Sequence, residues 1–206
     1  MSLMSQSINL YNQLAKHKLF NKTINFNLKR IQLALSKLNH PERKLYNVIQ
    51  VIGSDGKFSV LRALRFFIEE NKQTVSTHVS PSITDIRERF WMGDRYLTHQ
   101  EIKKTIKKIE KLKIPLTIYE VLTLVFIINA SNKNTDYVIQ EAGCLWKLDS
   151  NNVIDFPLMQ IIVNINKQHL NFLKIKTLNE VINQKVGYLS NFTNIYVGKQ
   201  KNSVLK

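Results

Sequence analysis

The stretch Val48-Ile49-Gln50-Val51-Ile52-Gly53-Ser54-Asp55-Gly56-Lys57-Phe58-Ser59-Val60 decides how this chain folds. A β-branched apolar run meets a loop with two glycines, a lysine and a serine. Behind it Val60, Leu61, Leu64, Phe67 and Ile68 recur at helical spacing, so the order is strand, loop, helix. That order suits a phosphate-binding loop: backbone N–H groups at a helix start face an anion, Lys57 adds a mobile charge, and the Ser59 hydroxyl can hold Mg²⁺. The usual spacing of such loops asks for glycine at Val51 and a hydroxyl residue where Phe58 stands. The residues alone therefore leave two readings open, a phosphate site and a strand-to-helix turn that uses glycine for its geometry.

Outward from the loop, the pattern predicts helices around Ile8–Lys18 and Leu28–Leu38, and a strand at Asn47–Ile52 leading to a helix at Phe58–Glu70. Thr74–Val79 reads as a second strand and Ile83–Thr98 as an extended loop turning at Gly93-Asp94. Helices follow at Gln100–Leu112 and Leu116–Ala130, then strands at Tyr137–Gln140 and Met159–Asn164, a helix at Thr177–Lys185 and a short strand at Asn194–Val197. Strands alternating with helices predict an α/β fold, a mostly parallel sheet with helices on both faces. We expect a helical segment over residues 1–46 packed on a domain at 47–198, and a polar, disordered tail at 199–206. In such sheets the working loops gather beyond the carboxyl ends of the strands. Glu141 and His169 would then lie near Lys57 and Ser59. A buried carboxylate at a strand end is costly unless paired or metal-bound, which favours Glu141 as a metal ligand; a lone His169 is more often a hydrogen-bonded surface or core residue, with metal ligand as its second reading.

Composition narrows the partners. The 206 residues suffice for one buried core, and 44% hydrophobic with 22% charged residues is ordinary for a globular chain. The single cysteine, Cys144, excludes an internal disulfide and fits a reducing compartment. The N-terminus lacks the apolar core of an export signal, and the longest apolar stretch, Val121 to Ala130, falls short of the about 20 residues that span a bilayer; a cytoplasmic location is expected. A net charge of +15 raises nucleic-acid binding, with Lys103, Lys104, Lys107, Lys108 and Lys111 forming a lysine face opposite Ile102, Ile106 and Ile109. The face carries neither arginine nor aromatics, so a solvated helix surface is the favoured reading and a basic nucleic-acid binder the alternative.

The order of motifs resembles the folylpolyglutamate synthase/dihydrofolate synthase family, a branch of the ATP-dependent Mur ligases. The family loop GTNGKGS stands here as Gly53-Ser54-Asp55-Gly56-Lys57-Phe58-Ser59, with the family's own gap between lysine and serine. SPHL and RER stand as Ser80-Pro81-Ser82-Ile83 and Arg87-Glu88-Arg89, and FEVLTL as Tyr119-Glu120-Val121-Leu122-Thr123-Leu124. EVGLGGRLDATN corresponds to Glu141 through Asn152, NIGLDHTEFLG to Asn164 through Lys174, and TLEEIAREKAGI to Thr177 through Tyr188. Phe58 replaces a glycine, Ser82 a histidine, Gln168 an aspartate and Gln184 a glutamate; Leu145 and Trp146 replace paired glycines, and Lys147 an arginine.

The resemblance implies a P-loop-type Mur ligase central domain that uses ATP and Mg²⁺ to add L-glutamate to a folate or dihydropteroate through an acyl phosphate. Gly53, Ser54, Asp55, Gly56, Lys57 and Ser59 would bind nucleotide. Ser59, Glu141 and His169 would serve the metal, Lys57 and Lys185 catalysis, and Ser80, Pro81 and Asp149 the folate. It also implies a further C-terminal ligase domain beyond this sequence, leading to the expectation of a shortened enzyme, an inactive relic, or one half of a split enzyme whose partner is a separate chain.

Overall fold

In a computed structural model, which describes residues 3–21, 25–168, 170 and 175–205, the elements run as follows: α1 Leu3–Lys16, β1 Phe20–Asn21, α2 Leu28–Lys37, β2 Val48–Ile52, α3 Lys57–Glu70, β3 Val75–His78, β4 Phe90–Met92, α4 His99–Glu110, β5 Leu116–Thr117, α5 Ile118–Lys133, β6 Tyr137–Glu141, β7 Met159–Ile162, α6 Leu178–Val186, β8 Asn194–Val197 and α7 Asn202–Leu205. The main sheet has the order β4-β3-β6-β2-β7-β8, parallel except for β4, and β1 pairs with β5 in a separate two-stranded sheet. The expected mostly parallel α/β architecture is present.

Parity along β2 sorts the two faces. Ile49 and Val51 join Leu61, Val75 and Ile139 in a core beneath α3. Val48 points to the other face, where α1, α2, α4 and α5 bury Leu35, Ile102, Val125 and Phe126. Helix α5 is apolar nearly all round, with ten buried residues, as a helix inside the core should be. Helix α4 instead buries Ile102, Ile106 and Ile109 and leaves Lys103, Lys104, Lys107 and Lys108 exposed.

The structure corrects two local expectations. The segment predicted as a loop over Ile83–Thr98 contains a 3-10 turn at Ile86–Arg89 and then β4, which pairs antiparallel with β3 at the sheet edge. Three alternating residues, Phe90, Trp91 and Met92, give too short a pattern to be read as a strand without the partner they pair with. The tail predicted as disordered carries α7 at Asn202–Leu205.

Across the α5 face a row of polar side chains crosses four strands. His78, Gln140, Gln50 and Gln160 stand in register and are fully buried. Gln160 Nε2 donates to Gln50 Oε1 at 2.8 Å, and Gln50 Nε2 to the Asn151 carbonyl at 3.2 Å. Asn151 Nδ2 donates to the Glu141 carbonyl and to Tyr119 OH, both at 2.9 Å. Buried amides are costly unless bonded, so this row fixes the loop that follows β6 against the sheet.

Among the described residues no helix is long and apolar enough to cross a membrane.

Candidate functional site

The loops after β2, β3, β6 and β7 leave the same edge of the parallel sheet, and most of the residues singled out in the sequence meet there. Gly53 turns the chain at φ +143°, where a Cβ would overlap Val163 Cγ2 and stand 2.9 Å from the Asn164 carbonyl oxygen. Gly56 precedes α3 at φ +84°, and beyond its own chain neighbours no atom among the described residues lies within 4 Å of where its Cβ would be. No side chain caps α3. Helices α4, α5 and α6 each begin with a capping box, Thr98/Glu101, Thr117/Glu120 and Thr177/Glu180. The first N–H groups of α3 therefore have no side-chain acceptor, and the space above Gly56 is open to one from outside.

Lys57 is nine-tenths buried; its Nζ donates to the Ser54 carbonyl at 3.0 Å and lies 3.9 Å from Glu141 Oε1. Glu141, at the end of β6, accepts a hydrogen bond from the Ser80 N–H at 3.1 Å. Burial pushes its carboxyl above the usual range, against the Ser80 hydrogen bond and the nearby Lys57 and Arg89 charges. Lys185 is 1% exposed and reaches from α6 to the Gly53 carbonyl at 2.8 Å and the Cys144 carbonyl at 2.7 Å. Burial, with the Lys57 charge second, brings its ammonium down to about 8. Ser59 is exposed in the first turn of α3. Phe58 is 41% exposed, with the Arg62 guanidinium 6.0 Å from its ring centroid, and borders a small recess with Val79 and Tyr96.

The loop after β7 locks onto the phosphate-loop candidate. Ser54 N donates to the Asn164 carbonyl at 2.8 Å and Asp55 N to Asn164 Oδ1 at 3.0 Å. Asn166 Nδ2 and Gln168 Nε2 donate to the two oxygens of the Asp55 carboxylate at 2.6 and 2.9 Å. His169 lies outside the described residues.

Beside these groups opens a cavity of about 350 Å³, walled by Phe26, Pro81, Ile118 and Leu148 with Ser80, Tyr119 and Asp149 among its polar groups. Asp149 is buried and accepts from the Gly143 N–H at 2.8 Å and the Asn151 N–H at 2.9 Å. Burial raises its carboxyl to about 6, with those two hydrogen bonds opposing. Arg89, also on the wall, donates from Nε to Tyr11 OH at 2.9 Å, and its buried Nη1 has no hydrogen-bond partner among the described residues. A larger cavity of about 460 Å³ lies near Glu42, Phe156 and Tyr188, and none of the predicted site residues lines it. The groups of chemical interest belong to the smaller one.

Tyr119, Arg89, Asn151 and the Asn164–Asn166–Gln168 clamp join the site without a chemical signature of their own in the sequence. The first three sit inside the motifs quoted above. The clamp joins residues more than a hundred positions apart, which no local pattern carries. Among the described residues no three His, Cys, Asp or Glu side chains form a ready metal cluster.

Comparison with known proteins bears on this edge. No family model matches the chain. It is 29% identical over 171 residues to the dihydrofolate synthase/folylpolyglutamate synthase of Bacillus subtilis, covering 79% of this chain and 39% of that protein. The Escherichia coli FolC structure in complex with DHPP and ADP superposes with a TM-score of 0.85 at 24% identity, covering 96% of this chain and 46% of that one. A bifunctional folylpolyglutamate synthase/dihydrofolate synthase with Mn, AMPPNP and L-glutamate bound gives 0.80 at 20% identity, covering all of this chain and 49% of that one. The chain thus spans under half the length of each of these proteins.

Proposed function

We propose, from the premise that this chain is a diverged member of the folylpolyglutamate synthase/dihydrofolate synthase family, that its phosphate loop holds ATP and that the adjoining cavity holds a folate or dihydropteroate whose carboxylate is joined to L-glutamate. One observation carries the reading. The uncapped start of α3 and Lys57 open beside a cavity whose polar groups include Ser80, Tyr119 and Asp149.

The residues fit a nucleotide. The Gly53 turn, into which a Cβ does not fit, sets the loop, and the open ground above Gly56 gives a phosphate access to the α3 N–H groups. Lys57 would exchange its bond to the Ser54 carbonyl for phosphate oxygens. Glu141 and Ser59 would hold Mg²⁺ together with His169. Bound nucleotide supplies the phosphoryl group that activates a carboxylate towards an amine. The chain's own residues then position and stabilise charge: Lys57 screens the transferring oxygens, and Lys185 ties the Gly53 carbonyl to that of Cys144 so that loop and cavity keep their distance. In the cavity, Asp149 would accept N–H groups of the folate ring, and Ser80 and Pro81 would border it.

The matched share of the relatives' length favours a second reading beside this one: these residues bind nucleotide and folate, and ligation requires further polypeptide, on this chain or another.

ADP titration calorimetry in MgCl₂ tests the reading. Micromolar binding that weakens about a hundredfold in Lys57→Met is expected, since a charge-assisted phosphate contact is lost. Wild-type protein that gives no heat with ADP or with dihydropteroate sinks the proposal.

A further inference from the structure

The α4 lysine face lacks the arginines and aromatics that nucleic-acid surfaces mix with lysine; the outward face of α3 has both. Phe58, Arg62 and Phe66 follow at intervals of four residues, so they form one row along α3 with about 6 Å between steps. All three are exposed, Phe66 by 48%. The Arg62 guanidinium lies between the two rings, 6.0 Å from the Phe58 centroid and 5.4 Å from that of Phe66. Arg65 extends the row sideways: its guanidinium is 5.8 Å from the Phe66 centroid and 3.4 Å from that of Trp91 on β4. Trp91 meets the exposed Tyr96 edge-on, with ring centroids 5.1 Å apart. The six side chains thus form an arginine–aromatic ladder from the start of α3 to the edge strand of the sheet.

The ladder offers flat stacking surfaces and free donors together. Among the described residues Arg62 makes no hydrogen bond and no ion pair, so the N–H groups of a guanidinium held by two rings are left for an acceptor from outside. The acids beside the ladder are already engaged: Glu69 pairs with Arg65 at 2.9 Å, and Glu88 accepts from the Ile83 and Thr84 N–H groups. The net charge of +15 draws polyanions to the whole molecule. Rings and guanidinium planes then select, at short range, a polyanion with exposed aromatic faces.

We propose that this ladder binds single-stranded nucleic acid, with bases stacked on Phe58, Phe66 and Tyr96 and a phosphate on Arg62. An unpaired strand fits and a duplex does not, because pairing and stacking hide the base faces that the rings would cover. Binding here needs no nucleotide in the phosphate loop and no folate in the cavity.

Fluorescence anisotropy with a labelled oligothymidylate of about 12 nucleotides, and with a DNA duplex of the same length, tests it at about 50 and 200 mM salt. Trp91 emission reports from the ladder itself, since the second tryptophan, Trp146, is fully buried. The protein is expected to bind the single strand at least about tenfold more tightly than the duplex, with Trp91 quenched on binding and affinity falling as salt rises. Phe66→Ala and Arg62→Ala, both on the exposed row, should each weaken single-strand binding at least about fivefold at unchanged Tm. Equal affinity for the duplex, undiminished by Phe66→Ala, would assign the binding to general positive charge such as that of α4 and overturn the proposal. An absence of binding at the lower salt overturns it as well. So does a concentration-dependent dimer in light scattering that Phe66→Ala abolishes, which would make the ladder a contact between two copies of the chain.

Discussion

Two loops at one sheet edge solve the same problem in opposite ways. After β2, Gly53 to Gly56 lead into α3 without a capping side chain, and the ground over Gly56 is open. After β6, the chain also turns sharply, but the Gly143 and Asn151 N–H groups converge on a carboxylate that the loop itself carries, Asp149. One loop leaves room for an anion from outside; the other has an anion built in and buried. The first is suited to a ligand that comes and goes, the second to a fixed wall. The buried charge of Asp149 has a cost, visible in its carboxyl raised to about 6 by burial. A loop with an outside anion avoids that cost until the ligand arrives.

The largest effect should come from Gly53→Ala. The new methyl would overlap Val163 Cγ2 and crowd the Asn164 carbonyl, and the backbone at φ +143° disfavours any Cβ. Left-handed strain and overpacking together should cost about 3–5 kcal/mol, read as a lower urea midpoint. A midpoint within experimental error of wild type would mean that the β2 loop is held by something other than its close approach to the β7 loop.

Next comes Asp149. Asp149→Ala strands the Gly143 and Asn151 N–H groups and should cost about 2–4 kcal/mol. The acid also predicts a pH dependence. Its folded pKa, about 6, lies above the ordinary value of 3.8, so the folded state binds the proton more tightly. Its contribution to stability is complete below pH 3.8 and is lost as pH rises through about 6, an effect on the order of 3 kcal/mol. Glu141, also raised by burial, acts in the same direction, so the measurement is the difference between wild type and Asp149→Asn in urea midpoints from pH 4 to 7. A difference that stays constant across that range would show that the loop's hydrogen bonds outweigh burial, and that Asp149 titrates as an ordinary acid.

These two loops were unequally legible in the sequence. The β2 loop announces itself because its elements are contiguous: a β-branched run, spaced glycines and a helical repeat lie within Val48–Ile68. The place of Glu141 beside Lys57 follows from strand order, since parallel strands deliver their loops to one edge. The β6 loop is different. Its anchor is the buried row His78, Gln140, Gln50 and Gln160, and polar residues inside strands look like weakened strands until their neighbours are known. The same reason hid β4, whose three residues become a strand only beside β3. Asp55 was legible as part of a motif, but its partners Asn166 and Gln168 lie more than a hundred residues on, and only the fold joins them.

The smallest effect on stability tests the openness of the first loop most directly. In Gly56→Ala no atom among the described residues, its chain neighbours aside, lies within 4 Å of the added carbon, so only the backbone at φ +84° resists it. That strain is about 1–2 kcal/mol, a fall in Tm of roughly 2–8 °C for a chain of this size. The methyl would nevertheless stand in the space through which a phosphate reaches the α3 N–H groups. ADP affinity in MgCl₂ should therefore fall about tenfold or more, although the protein remains folded. The two loops then separate by measurement: Asp149→Ala damages the fold in proportion to the N–H groups it strands, whereas Gly56→Ala damages binding out of proportion to stability. Unchanged ADP affinity in a stably folded Gly56→Ala would show that the anion docks elsewhere, and the start of α3 would then be an uncapped helix end and nothing more.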